Sequence, residues 1–126
     1  MSGSEEGRLR RAVRRLTAET TELDAEDLQK RGEGVGATPL VECRDRSPVT
    51  VFGTVRAITI RPRAGVPALE AELFDGSGTV TLVWLGRRTL AGVDAGRQLR
   101  ASGRLTTGEG RRLIYNPRYE LVPQDA

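Results

Sequence analysis

Histidine is absent from these 126 residues, and cysteine occurs once, as Cys43. Structural zinc sites take several Cys or His ligands, so a zinc finger is excluded and no metal or cofactor is expected. One cysteine cannot form an intramolecular disulfide, which points to a reducing compartment. Cys43 reads as an ordinary small side chain. Without histidine there is no imidazole to serve as general base or to activate Cys43 as a nucleophile, so the expectation is a protein that is not an enzyme. Aromatic residues make up only 4% of the chain, with a single tryptophan. No apolar run approaches the ~18 residues of a membrane span. The stretch up to Thr17 has no apolar signal-peptide core, and Glu5 and Glu6 fit an organelle transit peptide poorly. The expected location is the cytoplasm, with no membrane contact. Lysine is nearly missing as well: of 20 basic residues only Lys30 is one, a bias associated with GC-rich bacterial genomes.

What is present suits one small domain with many tight turns, since glycine occurs 15 times. Charge is uneven. Up to Asp45 there are 8 basic and 10 acidic residues, whereas Arg46 to Pro123 carries 12 basic against 6 acidic. The positive charge therefore belongs to the C-terminal part. Arginine suits phosphate because its planar fork gives paired hydrogen bonds, although a soluble basic surface is the plainer explanation.

Residues 1–36 read as a helical arm. Ser4 can cap a first helix whose Leu9, Val13 and Leu16 form one narrow apolar stripe, able to dock on the rest of the chain, on a protein partner or on a second copy. Asp24 is a plausible N-cap of a second helix, with Leu23 and Leu28 as a hydrophobic staple and Gly32, Gly34 and Gly36 ending it. Residues 37–48 read as a linker.

From Val49 the apolar period becomes two, as in a half-buried strand. The run reaches Ile60, with Gly53 placed to let a long strand bend and a parity slip between Val55 and Ile58 that suggests a bulge. Arg61 to Pro67 reads as a loop from its Pro and Gly content. Leu69, Ala71 and Leu73 lead a second strand to the tight hairpin signal Asp75-Gly76-Ser77-Gly78. The third strand is Thr79 to Leu85, and the connector Gly86 to Gly96 has room for one short helical turn. Strand four runs from Gln98 to Arg104. Strand five starts near Arg111, breaks at Asn116-Pro117 and resumes at Tyr119 to Val122. Residues 123–126 form a tail.

Five strands in about 75 residues predict a mainly β fold, a five-stranded OB-fold Greek-key barrel over residues 49–122 preceded by the helical arm. An SH3-like barrel is the main rival; the long Gly-bent first strand and the large connector argue against it. The run Val51-Phe52-Gly53-Thr54-Val55 followed by Glu72-Leu73-Phe74-Asp75-Gly76-Ser77-Gly78-Thr79-Val80 resembles nucleic-acid-binding OB domains. With Val83-Trp84-Leu85, Gly96 to Gly103 and Asn116-Pro117-Arg118-Tyr119 it is similar to the OB wedge domain of bacterial branched-DNA helicases, and most of all to small stand-alone OB-fold proteins of actinobacteria. The resemblance covers Val49 to Val122. It implies non-catalytic binding of single-stranded or branched DNA, or of RNA. No Walker-type phosphate loop is present, so no ATPase activity follows.

Ligands of this fold usually cross strands two and three between the loops joining strands 1–2 and 4–5. Those loops offer Arg61 and Arg63 on one side, Arg111 and Arg112 on the other. Phe74, Thr81 and Trp84 are candidate contacts on the strands, with Arg56 beside them. Trp84 can be core or stacking platform, since both faces of its strand are partly apolar. Against phosphate stand Glu70 and Glu72, both on the outer face of strand two. The alternative is a protein-interaction module that uses this face and the N-terminal helix.

Overall fold

The computed structural model describes residues 24–124. The stripe Leu9, Val13 and Leu16, its cap Ser4, the staple residue Leu23 and the last two residues lie outside them. The described residues hold six strands: β1 (Pro48–Arg63), β2 (Val66–Phe74), β3 (Thr79–Leu85), β4 (Gln98–Gly108), β5 (Arg111–Tyr115) and β6 (Arg118–Leu121). Their order is β1-β2-β3-β5-β4-β6, and β4 also pairs with β1, which closes the ring. Only β3 and β5 run parallel.

β1 makes closure possible. Its residues Pro48 to Thr54 pair with β4, and Thr54 to Arg63 pair with β2. The changeover falls at Gly53, where an added Cβ would collide with the Phe74 carbonyl. The strand can therefore turn from one neighbour to the next only without a side chain there. The register slips between Val55 and Ala57, which makes Arg56 the bulged residue that the parity change implied. β5 and β6 are two halves of one interrupted strand: β4 pairs with β5 through Leu105 to Gly108 and with β6 through Leu99 to Ser102. At the break Asn116 has φ of 50°, and its amide oxygen accepts a 3.0 Å hydrogen bond from the Leu85 N–H. Five strands closed in this order form an OB-fold Greek-key barrel.

Val51, Val55, Leu73, Leu82, Leu99 and Ile114 are fully buried in its core. Asp75 stabilises the β2–β3 turn by accepting from the Ser77 and Gly78 N–H groups at 2.7 and 2.8 Å. Its second oxygen accepts from the Leu40 N–H at 2.7 Å. Residues 37–48 are consequently more than a linker: a 3-10 turn, Leu40–Glu42, presents Leu40 to the core with no exposed area.

Residues 24–34 form helix α1. Asp24 lies inside it rather than at an N-cap. Its C-terminal end is a Schellman turn in which Gly36, at φ of 77°, lets Ala37 N–H reach the Gly32 carbonyl at 2.9 Å. Leu28 is buried, and Gly32 lies against Phe52, the outward side chain of β1 that the helix covers. No helix among the described residues is long and apolar enough to cross a membrane.

Two loop expectations are corrected. Arg61 to Pro67 is a hairpin of only two turn residues, Ala64 and Gly65, both with positive φ. Pro62 and Pro67 face each other across it, one step from the closing pair, where an antiparallel ladder asks neither for an N–H toward the other. The Gly86–Gly96 connector carries no helical turn. Gly92 and Gly96 take positive φ, and Leu90 and Val93 pack on the core instead.

Candidate nucleic-acid interface

Strand alternation fixes which side chains share the outer surface. On β3, Val80, Leu82 and Trp84 join the core, so Thr81 and Val83 point outward. Glu72 pairs with Thr81 and Glu70 with Val83, while Ala57 and Thr59 lie opposite the same glutamates on β1. A groove of about 350 Å³ runs over this surface between Arg61 on one rim and Arg111 and Arg112 on the other, with Thr59, Thr79 and Thr81 along it. The two arginine-bearing segments therefore do flank one face.

An ion network occupies part of that face. Glu70, 4% exposed, lies 2.8 Å from Arg63 Nε, 3.5 Å from Arg111 and 3.8 Å from Arg61. Glu109, on the β4–β5 turn, pairs with Arg111 at 2.8 Å and with Arg63 at 3.1 Å. The hydrogen bonds that Arg63 donates to Glu70 and Glu109 hold its guanidinium more firmly protonated than an ordinary arginine. Those from Arg111 and then Arg63 push the Glu109 carboxyl below the usual range. Arg63 also donates to the Tyr115 hydroxyl at 3.0 Å. The objection that Glu70 repels phosphate is thus removed by burial and neutralisation. Glu72 stays exposed and makes no ion pair among the described residues.

The expected contact residues separate into groups. Arg61, with 53% of its side chain exposed, keeps only a 3.8 Å contact with Glu70. Arg112 is half-buried and donates to the Thr79 carbonyl at 3.4 Å. Arg111 donates to the Thr81 hydroxyl at 3.3 Å, which fixes both on the groove wall. Arg63 is held in the network and only 15% exposed. Phe74 and Arg56 lie beyond the groove toward α1, with the Arg56 guanidinium 3.5 Å from the ring centroid, a cation–π contact. Trp84 does not belong to the interface. It is 6% exposed, its indole N–H donates to the Pro117 carbonyl at 3.0 Å, and Tyr119 meets it edge-on at 5.6 Å. An indole N–H taken out of water needs such a partner, and the core side of β3 supplies it.

Sequence reasoning missed Glu109 as a member of the site. The position of Glu109 in a Gly-flanked turn next to Arg111 is the only signal, and it does not reveal the reach to Arg63, 46 residues away.

No protein-family model matches this chain, and no curated protein matches it. Among solved structures, a replication protein A heterotrimer bound to single-stranded DNA is similar to it at a TM-score of 0.48 and 19% sequence identity, over 61% of this chain and 58% of that one. The chain thus spans a little over half the length of that neighbour.

Proposed function

We propose that this protein binds single-stranded or branched DNA, or RNA, non-catalytically and with little sequence specificity. The observation that carries the reading is the groove across β2 and β3 bounded by Arg61 on one side and Arg111 and Arg112 on the other. Guanidinium groups on opposite rims of one sheet face suit a phosphate backbone passing between them. The threonine hydroxyls of the floor offer hydrogen bonds to sugar or phosphate without reading a base. Phe74 supplies one aromatic face once Arg56 moves off it. The resemblance to helicase wedge domains favours forked substrates within this class.

The test is fluorescence anisotropy with labelled single-stranded, forked and duplex DNA and with RNA at about 50 mM salt. If about six phosphates are engaged, log K falls with log salt at a slope near −4 for a single strand. No anisotropy change at micromolar protein removes the proposal.

A protein-docking reading has one specific observation in its favour. Val66, Leu85 and Tyr115 are 38–40% exposed, and all three lie on the outer surface near the β1–β2 hairpin. Retained binding to a protein ligand with no affinity for any nucleic acid would select it.

A further inference from the structure

Exposed arginines also lie away from the groove face. β4 places Leu99 and Ala101 in the core, so Arg100, Ser102 and Arg104 point out on the opposite wall. There Ser102 lies between Thr50 of β1 and Arg118 of β6, and Arg104 lies opposite Pro48. The Thr50 and Ser102 hydroxyls are 3.1 Å apart. A second groove, about 710 Å³, crosses this wall past Arg44, Arg100, Ser102 and Arg118.

Its electrostatics differ from those of the first. Around the β2–β3 groove, Arg63 and Arg111 are tied to Glu70 and Glu109. On the β1–β4–β6 wall the one ion pair among the described residues is Arg100 with Glu120 at 3.4 Å. Arg44, Arg104 and Arg118 are exposed, and none of them pairs with a carboxylate among the described residues. Arg100 Nε is buried without a hydrogen-bond partner. The nearby carboxylates are Glu42, which lines the groove, Glu120, and Asp45, whose Oδ1 accepts from the Thr107 N–H of β4 at 2.9 Å.

The two faces are joined along β4. Its outward residues run Arg100, Ser102, Arg104, Thr106 and Gly108, and Gly108 lies opposite Arg111. At ~3.3 Å per residue, Arg100 to Gly108 spans about 26 Å. We propose that the β1–β4–β6 wall is a second phosphate-binding track, which takes the backbone of a single nucleic-acid strand and leads it along β4 to the β2–β3 groove. The identity of the ligand rests on the function proposed above; the location does not. Arginine forks interleaved with hydroxyls match phosphodiesters. An acidic protein segment fits less well, because no large hydrophobic side chain is exposed on these three strand segments to anchor it.

The experiment uses the full chain and a labelled oligothymidine of about 16 nucleotides, at the upper end of OB site sizes. Arg104→Ala with Arg118→Ala is compared with Arg61→Ala and Arg112→Ala on the groove face. Losing two phosphate contacts lowers the salt slope by about 1.4 and weakens binding about tenfold or more at ~50 mM salt. Arg104 and Arg118 are exposed, and the Arg104 guanidinium makes one exposed bond, to the Arg46 carbonyl at 3.0 Å, so thermal melts should move little. Arg118→Glu alone gives a second reading on an exposed strand. If only the groove-face pair weakens binding, the second track is overturned and the proposed groove stands. If only the β4–β6 pair does, the second track stands and the groove reading fails. If neither does, or if the wild-type chain binds no strand, both are overturned. Displacement by polyglutamate as effective as that by unlabelled oligonucleotide also overturns the track, in favour of an acidic protein segment.

Discussion

Glu70 lies 2.8 Å from the Nε of Arg63 with only 4% of its side chain exposed. A carboxylate this buried costs stability unless its partners stay in place. Glu70→Ala should therefore destabilise the barrel by about 2–4 kcal/mol, below the usual range for breaking a buried pair because Arg63 keeps Glu109. Adding Arg63→Ala should recover part of that loss. Urea denaturation of the two single variants and the double variant measures the coupling; strict additivity would mean the pair is not a unit.

Arg61 and Arg63 are two residues apart and have different surroundings. Arg61 is 53% exposed and 3.8 Å from Glu70, whereas Arg63 makes four hydrogen bonds inside the network. Arg61→Ala should weaken oligonucleotide binding and leave the urea midpoint unchanged. Arg63→Ala should lower the midpoint, since it leaves Glu70 with longer contacts only. A midpoint shift for Arg61→Ala equal to that for Arg63→Ala would show that the distinction is wrong.

Glu109 competes with any phosphate for Arg111. Hydrogen bonds from Arg111, then from Arg63, depress its pKa. A carboxyl so lowered contributes stability above its unfolded value of about 4.3, and that contribution disappears as pH falls through the lower folded value. The network should thus hold from neutrality down to about pH 4 and loosen below it. Glu109→Gln should abolish this acid step in thermal melts. At pH 7 it should tighten single-strand binding several-fold, because Arg111 loses its 2.8 Å partner and one negative charge is gone. Unchanged affinity would mean that Arg111 does not reach the ligand.

Asp75 accepts from two turn N–H groups, from the Ser77 hydroxyl and from the Leu40 N–H. Asp75→Ala should cost about 2–4 kcal/mol, since hydrogen bonds to a charged group are worth about 1.5–3 each and Leu40 N–H would be left buried. Thermal unfolding followed by circular dichroism checks it. Retained stability would detach Leu40 from barrel closure.

The features legible in the sequence are those set by local chemistry. Gly53 and the Val55–Ile58 parity slip announce the bend and the Arg56 bulge, Asp75-Gly76-Ser77-Gly78 announces its turn, and Asn116-Pro117 announces the break in the fifth strand. Pro62 and Pro67 misled because a proline pair across a tight hairpin needs a cross-strand register that composition does not give. For the same reason residues 37–48 read as a linker and Glu70 as a bar to phosphate. Leu40 reaches the core through Asp75, 35 residues away, and Glu70 is neutralised from three directions by residues that only the closed barrel assembles. The arginines at the ends of β1 and β5 were legible, though as loop residues, but their availability was not, since ion pairing is decided by those non-local neighbours.

Trp84 offers the sharpest optical test because it is the only tryptophan. A base stacked on an indole would quench its fluorescence and shift its emission. Trp84 is instead held in the core by the Pro117 carbonyl and Tyr119, on the side of β3 opposite to Thr81. Saturating oligonucleotide should leave its emission maximum and intensity essentially unchanged, while anisotropy of the labelled strand reports full binding. Denaturation should red-shift the same signal as the indole meets water. Conversely, Phe74→Ala should weaken single-strand binding by roughly 1–3 kcal/mol if the ring stacks a base once Arg56 moves aside. Strong tryptophan quenching on binding, with Phe74→Ala silent, would reverse the assignment of core and platform on this sheet.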